Sequence, residues 1–235
     1  MSGEPPALEL TGIVKDYRGL RPLRIASLSI SRGERLALSG LDRPAAEALI
    51  NLLTGAALPD EGEVRIFGRP TSSIANGDDW LASLDRFGIV TDRAVLLEGS
   101  TIAQNLALPF TLALDELAPD VRVKVETLAR DVGLEPSALE KRPAESAPDV
   151  SVRVHLARAI ALGPAILLLE HPTASVPADA VAALADDVGR VARVRGLTTV
   201  AVTEDAAFAR RMADRHLRVT GATGEVAPVR RFYFF

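Results

Sequence analysis

No cysteine occurs in the 235 residues, which excludes a disulfide framework and a thiolate metal site. Lysine is nearly absent as well. Lys15, Lys124 and Lys141 are the only three among 27 basic residues, and none follows a strand-to-glycine turn, so none is placed to serve a phosphate-binding loop. No apolar run approaches the ~20 residues that a membrane-spanning helix requires. The opening Met1-Ser-Gly-Glu-Pro-Pro6 is not a secretory leader. A net charge of −4 and a pI near 5.5 remove the bulk electrostatic case for nucleic acid as a partner. These absences lead to the expectation of a soluble, cytoplasmic chain, peripheral on the inner face of a membrane only where a partner holds it there.

What is present is a core. Hydrophobic residues make up 48% of the chain, enough for one sizeable domain. Leu8–Val14 and Leu23–Ile30 alternate apolar and polar residues, as half-buried antiparallel strands do. Ser31–Glu34 turns into a buried strand at Arg35–Ser39, and Ala45–Leu53 has helical spacing with Gly55 at its end. Pro59–Glu63 turns into a strand at Val64–Phe67, and Phe87–Thr91 reads as another. The pattern is then mostly helical, at Ile102–Leu108, Val121–Val132 and Ser137–Lys141. Helix Val152–Leu162 stops at Gly163-Pro164 before the apolar strand Ala165–Leu169. Helix Ala178–Val194, strand Thr199–Val202, helix Ala206–Ala213 and strand His216–Val219 follow. Strands alternating with helices predict an α/β fold with a mostly parallel sheet covered on both faces.

Leu36–Gly55 carries the frame G-x-x-x-x-G-K-[ST], in which backbone N–H groups and one lysine wrap a nucleotide's phosphates. Aligned on Gly40, the second glycine position holds Ala45, the lysine position Ala46 and the Mg²⁺-ligating hydroxyl position Glu47. Pro44 removes one N–H from the cradle, and Asp42 and Glu47 add carboxylates near where a triphosphate would sit. At about 4 Å and an effective dielectric of about 20, each like-charge contact costs roughly 4 kcal/mol. Arg43 offsets part of this without standing in the lysine's place. The loop Gly40–Ala45 is therefore expected to be filled or distorted by its own side chains.

Three further stretches, in order, carry a family resemblance: Leu58–Gly68 (LPDEGEVRIFG), Ser100–Pro109 (STIAQNLALP) and Arg153–Pro164 (RVHLARAIALGP). With the loop frame they resemble the ATP-binding subunit of ABC transporters over nearly the full length. The resemblance implies an ABC-type P-loop NTPase fold. Residues 1–91 and 152–235 would be the core with its antiparallel β-subdomain, and 92–151 a helical subdomain. It also implies ATP and Mg²⁺ as the family's ligands, although none is expected on this chain.

The resemblance also implies functional residues at defined positions. Tyr17 stands where the family stacks an aromatic ring on adenine and, with Gly40 and Arg43, is the remnant of a nucleotide site. Asp92 replaces the glutamine that follows the strand Phe87–Thr91. The signature L-S-G-G-Q aligns with Ser146-Ala-Pro-Asp-Val150, where both glycines are gone and Asp149 would present negative charge. In Ile166–Thr173 (ILLLEHPT), Glu170 replaces the Mg²⁺-associated aspartate and His171 the general base. Ala174–Pro177 lacks the family's aspartate, and Glu204 replaces the switch histidine. No catalytic position is intact and no metal site is expected. His155 and His216 are expected to be structural.

Because both the phosphate loop and the signature loop are altered, even an active partner could not complete a site with this chain. The resulting expectation is a pseudo-ATPase, an accessory or structural subunit at a membrane permease, with a second ATP-binding subunit as a further partner. The alternatives are an active ATPase with an unorthodox site on Tyr17, Arg43, Glu170 and His171, and a free-standing regulatory scaffold. The expected permease-gripping surface lies between the Asp92 loop and Thr101–Leu139. The tail 230–235, with four of the chain's ten aromatic residues in its last four positions, is a candidate docking segment.

Overall fold

The computed structural model describes residues 4–229, so the tail at 230–235 lies outside the described residues. Strands β1 (Leu8–Lys15) and β2 (Leu23–Ile30) pair antiparallel, placing Leu8 opposite Ile30, Leu10 opposite Leu28 and Ile13 opposite Ile25. Apolar side chains thus fall on one face of the hairpin, as the alternation predicts. Strands β4 (Glu61–Ile66) and β5 (Arg69–Pro70) extend this sheet in the order β2-β1-β4-β5.

The second sheet holds β3 (Arg35–Ser39), β6 (Phe87–Val90), β7 (Ile166–Glu170), β8 (Thr198–Val202), β9 (Arg215–Val219) and β10 (Val226–Pro228). Its order is β10-β9-β3-β8-β7-β6, and all neighbours run parallel except β10 against β9. Each central strand is apolar on both faces and feeds two cores. Leu36, Leu38, Ile166, Leu168, Val200 and Val202 pack towards α1 (Arg43–Leu53) and the antiparallel sheet. Ala37, Leu167, Leu169 and Ala201 pack towards the helices on the other face. These are α3 (Ile102–Ala107), α4 (Pro119–Asp131), α5 (Pro148–Ile160), α6 (Val181–Arg195) and α7 (Ala206–Met212). A continuous hydrophobic run is what two-sided burial demands.

Several boundaries differ from the pattern, for local reasons. Helix α1 begins at Arg43, not Ala45, because Asp42 caps it, accepting from the Ala45 N–H at 2.9 Å. Pro44 fits in the first turn, where its missing N–H costs nothing. Helix α5 begins at Pro148, so three of the five residues Ser146–Val150 are wound into helix. Ser137–Lys141 forms no α-helix; only 3₁₀ turns occur there, at Pro136–Ala138 and Pro143–Glu145. Helix α2 (Gly77–Leu84) had no visible pattern, since it buries none of its residues; Asn76 caps it, and Asp78 and Asp79 complement its N-terminal dipole.

Gly88 lets β6 lie directly on α5: a Cβ there would come within 2.3 Å of the Ala159 carbonyl oxygen. Gly88→Ala should therefore destabilise the chain by about 1–3 kcal/mol, the cost of overpacking against backbone that cannot turn aside. Urea unfolding measures this, and an unchanged midpoint would show that α5 shifts freely.

Candidate functional site

The parallel strands β3, β6, β7 and β8 end on one edge of the sheet, at Ser39, Val90, Glu170 and Val202. The loops that leave this edge carry the chemistry-bearing residues, the usual place for a site in an open α/β sheet.

The loop after β3 is closed by two acids, its own Asp42 and Glu204 from the loop after β8. Gly40 has φ +87, and a Cβ on it would meet the Val219 carbonyl oxygen at 2.2 Å, so only glycine fits. Its N–H donates to Glu204 Oε1 at 2.5 Å, and the Ala45 N–H donates to Asp42 Oδ1 at 2.9 Å. Two N–H groups of the cradle thus already carry carboxylates. Ala46 is fully buried in the core instead of facing the loop. Of the loop's own side chains only Asp42 fills it, on the Ala45 N–H; the Gly40 N–H is taken by Glu204 from the loop after β8.

Cations supplied by the chain balance the acids. Arg43 pairs through Nη1 with Asp92. Arg93, in the loop after β6, pairs through Nη1 with Glu47 on α1 and donates through Nη2 to Glu170 Oε2 at 2.6 Å at the end of β7. The Glu170 side chain is only 5% exposed. Burial pushes its carboxyl above the ordinary range; Arg93 and a hydrogen bond with Thr91 oppose this, while Glu47 and Asp92 add to it. Sequence reasoning missed Arg93. The available signal was an arginine directly after the substituted Asp92, on a chain that uses arginine for nearly every positive charge.

His171 stands beside this cluster and lines one cavity with Asp92 and Glu170. Its backbone is left-handed, φ +44, held by its N–H to Val202 O at 2.8 Å and by Ala174 N–H to its carbonyl at 3.0 Å. Its Nε2 is buried and has no partner among the described residues. A cavity of about 120 Å³ opens there, bounded by Thr91, Asp92, Glu170 and His171 on the sheet edge and by Ser151 and His155 on α5. Among the described residues Tyr17 makes no hydrogen bond to these groups, although the Asp42 carboxylate is near enough to act on its hydroxyl. It packs against the β1–β2 core, and its hydroxyl pKa is raised by burial first and by Asp42 second.

At the signature position Asp149 is paired within the chain. It accepts from Arg153 Nε at 3.2 Å, one turn along α5. Arg153, 5% exposed, also donates through Nη1 to Asp187 Oδ2 at 2.6 Å and to the Val132 carbonyl. His216, on β9, lies 3.2 Å from Ser39 Oγ.

Burial, then the neighbouring Arg158, lowers the pKa of His155; burial is also the leading cause of the lowered pKa of His216. A histidine whose pKa is lower in the folded state contributes stability above its unfolded value of about 6.5, lost as pH falls through the folded value. Melting temperature should therefore fall as pH drops below about 6.5, and His155→Gln should flatten that slope. Glu170 has the opposite sign, its contribution being lost as pH rises through its raised value. A melting temperature that rises on acidification would contradict the histidine assignment.

The family model described as ABC transporter matches residues 23–174. The chain is 32% identical over 241 residues to the sulfate/thiosulfate import ATP-binding protein CysA 2 of Chromobacterium violaceum, covering 99% of this chain and 63% of that protein. It is 32% identical over 185 residues to the ABC transporter ATP-binding protein YtrE of Bacillus subtilis, covering 78% of each. It is 32% identical to the methionine import ATP-binding protein MetN of Caulobacter vibrioides, with 80% of this chain matched to 56% of that one. The chain thus spans under two thirds of two of these three relatives. Among solved structures, the dimeric ATP-binding cassette MJ0796 bound to ADP and Pi superposes with a TM-score of 0.76 at 22% identity, over 96% of this chain and 100% of that one. The cbiO1 subunit of Clostridium perfringens superposes with a TM-score of 0.76 at 20% identity, over 92% and 85%.

Proposed function

Since the chain belongs to the ABC transporter family as an ATP-binding-subunit homologue, we propose that it serves a membrane permease as an accessory or structural subunit and does not hydrolyse ATP. One observation carries the reading: the Gly40 and Ala45 N–H groups are taken by the Glu204 and Asp42 carboxylates. The residues present do not fit a Mg²⁺-bound triphosphate. The lysine position is a buried alanine, and a guanidinium lies between Glu47 and Glu170. The carboxylates of Asp42, Glu47, Asp92, Glu170 and Glu204 would all oppose a triphosphate placed here.

The surface that supports permease docking is a groove of about 310 Å³ between the strand end at Ile89, the loop at Ala94, Leu108-Pro109 after α3, and His155 and Arg158 on α5. Val95, 76% exposed, and Leu162, 71% exposed, leave apolar surface uncovered nearby. We read residues 92–151 as the helical subdomain that forms one wall. No helix among the described residues is long and apolar enough to cross a membrane, so membrane attachment falls to the partner. A photo-cross-linker at Val95, with the chain coexpressed beside a permease encoded next to its gene, should capture that permease. Recovery of the chain only as free protein would sink this reading, and ATP turnover would sink the inactive assignment.

A further inference from the structure

Arg93 is the only residue among those described that pairs with both Glu47 and Glu170, and it draws three chain segments together: α1, the loop after β6, and the end of β7. We propose that Arg93 is the resident counter-cation of this site, a charge built into the chain that fixes residues 91–100 against α1 and β7 with no metal ion or nucleotide. The inference does not depend on which partner the chain serves.

The chemistry suits the task. Glu170 is nearly buried, and a buried carboxylate is tolerated only when paired. Glu47 and Asp92 add negative charge close enough to raise the Glu170 pKa, so the cluster needs a cation at its centre. A guanidinium is planar, always charged, and offers separate N–H edges to two acids at once; an ammonium is a single point charge. Nη1 serves Glu47 and Nη2 serves Glu170. Arg93 is also the central tie of a series. Asp92 is held by Arg43. The Val95 carbonyl accepts from Arg158 Nη1 at 3.2 Å. Leu97 is bracketed by the Asn105 amide, its N–H donating to Oδ1 at 2.8 Å and its carbonyl accepting from Nδ2 at 3.1 Å. Only the Arg93 tie crosses to both α1 and β7, and it fixes the loop that carries Ala94 into the groove wall.

Hydrogen–deuterium exchange on the full chain tests this. In Arg93→Ala, amides of residues 91–100 should exchange at least about tenfold faster while β3 and β7 keep their protection. Millimolar guanidinium should restore protection in that variant, and the same concentration of urea should not, because the missing element is a charge rather than a volume. Magnesium and ATP should leave wild-type exchange in this segment unchanged. Should Arg93→Ala not fold, the variant Glu47→Gln/Arg93→Gln/Glu170→Gln removes cation and anions together and should show the same loosening. Wild-type exchange in whichever variant folds, rescue by urea equal to rescue by guanidinium, or added protection of the wild type by Mg²⁺ would each overturn the proposal.

Discussion

Purified chain given ATP and Mg²⁺ should release phosphate at the buffer rate. Phosphoryl transfer relies almost wholly on positioning and charge stabilisation, and at this site Ala46, His171 and Glu204 stand where the family has its lysine, base and switch histidine. A positioned general base alone is commonly worth about 10²–10⁴-fold, so their joint replacement should leave nothing measurable. Rebuilding the loop alone should not reverse this. In the fourfold variant Arg43→Gly, Ala45→Gly, Ala46→Lys and Glu47→Ser, the helix N-terminus regains a dipole-assisted phosphate position. Glu204 still closes the Gly40 N–H, Asp42 still caps the helix, and Arg93 loses one of its two acids. Ala46 is also fully buried, so a lysine there must first find a way out. Nucleotide titration should show weak binding at most, and phosphate release none. Turnover above background in the wild type, abolished by His171→Ala, would replace this account with that of an unorthodox ATPase.

Arg153→Ala should be the most damaging single substitution for stability. Arg153 joins three helices: Asp149 on its own α5, the Val132 carbonyl at the end of α4, and Asp187 on α6. Removing one member of a buried, hydrogen-bonded charge network typically costs about 3–5 kcal/mol. For a chain of this size that corresponds to roughly 10 °C in melting temperature. Asp187 keeps Arg190 at 2.6 Å, so the loss falls mainly on Val132 and Asp149. Arg153→Lys should recover only part, since one ammonium cannot reproduce a fork with three acceptors. A denaturation midpoint shifted by less than about 1 kcal/mol would show the network to be incidental.

Most of the fold was legible because it is written in short-range periodicity. β3, β7 and β8 are apolar on both faces, and β1 and β2 alternate, so each announces its layer. α2 was not legible because it buries nothing, and β5 and β10 were not because two or three residues carry no period. The missing phosphate chemistry was equally plain, since it is a matter of residue identity at fixed spacing. What took its place was not. Glu204 reaches Gly40 across 164 residues, Arg93 reaches Glu170 across 77, and no local pattern encodes a side chain's long-range partner. The pairing of Asp149 with Arg153 was hidden as well, because Arg153 looked like ordinary framework.

The bond between the Gly40 N–H and Glu204, set beside the Arg93 pairs, makes the present state hard to retrace. Placing the family's hydroxyl residue at Glu47 would strand half of the Arg93 guanidinium, whereas the family's aspartate at Glu170 would keep an acid there on a side chain one methylene shorter. Reverting Glu204 alone would leave the Gly40 N–H open while Asp42 still occupied the next one. Changes at these contacting positions are therefore coupled, and their effects on stability will not add. The acids and the arginine thus hold one another in place, with Arg93 shared by Glu47 and Glu170 and Glu204 seated on the Gly40 N–H.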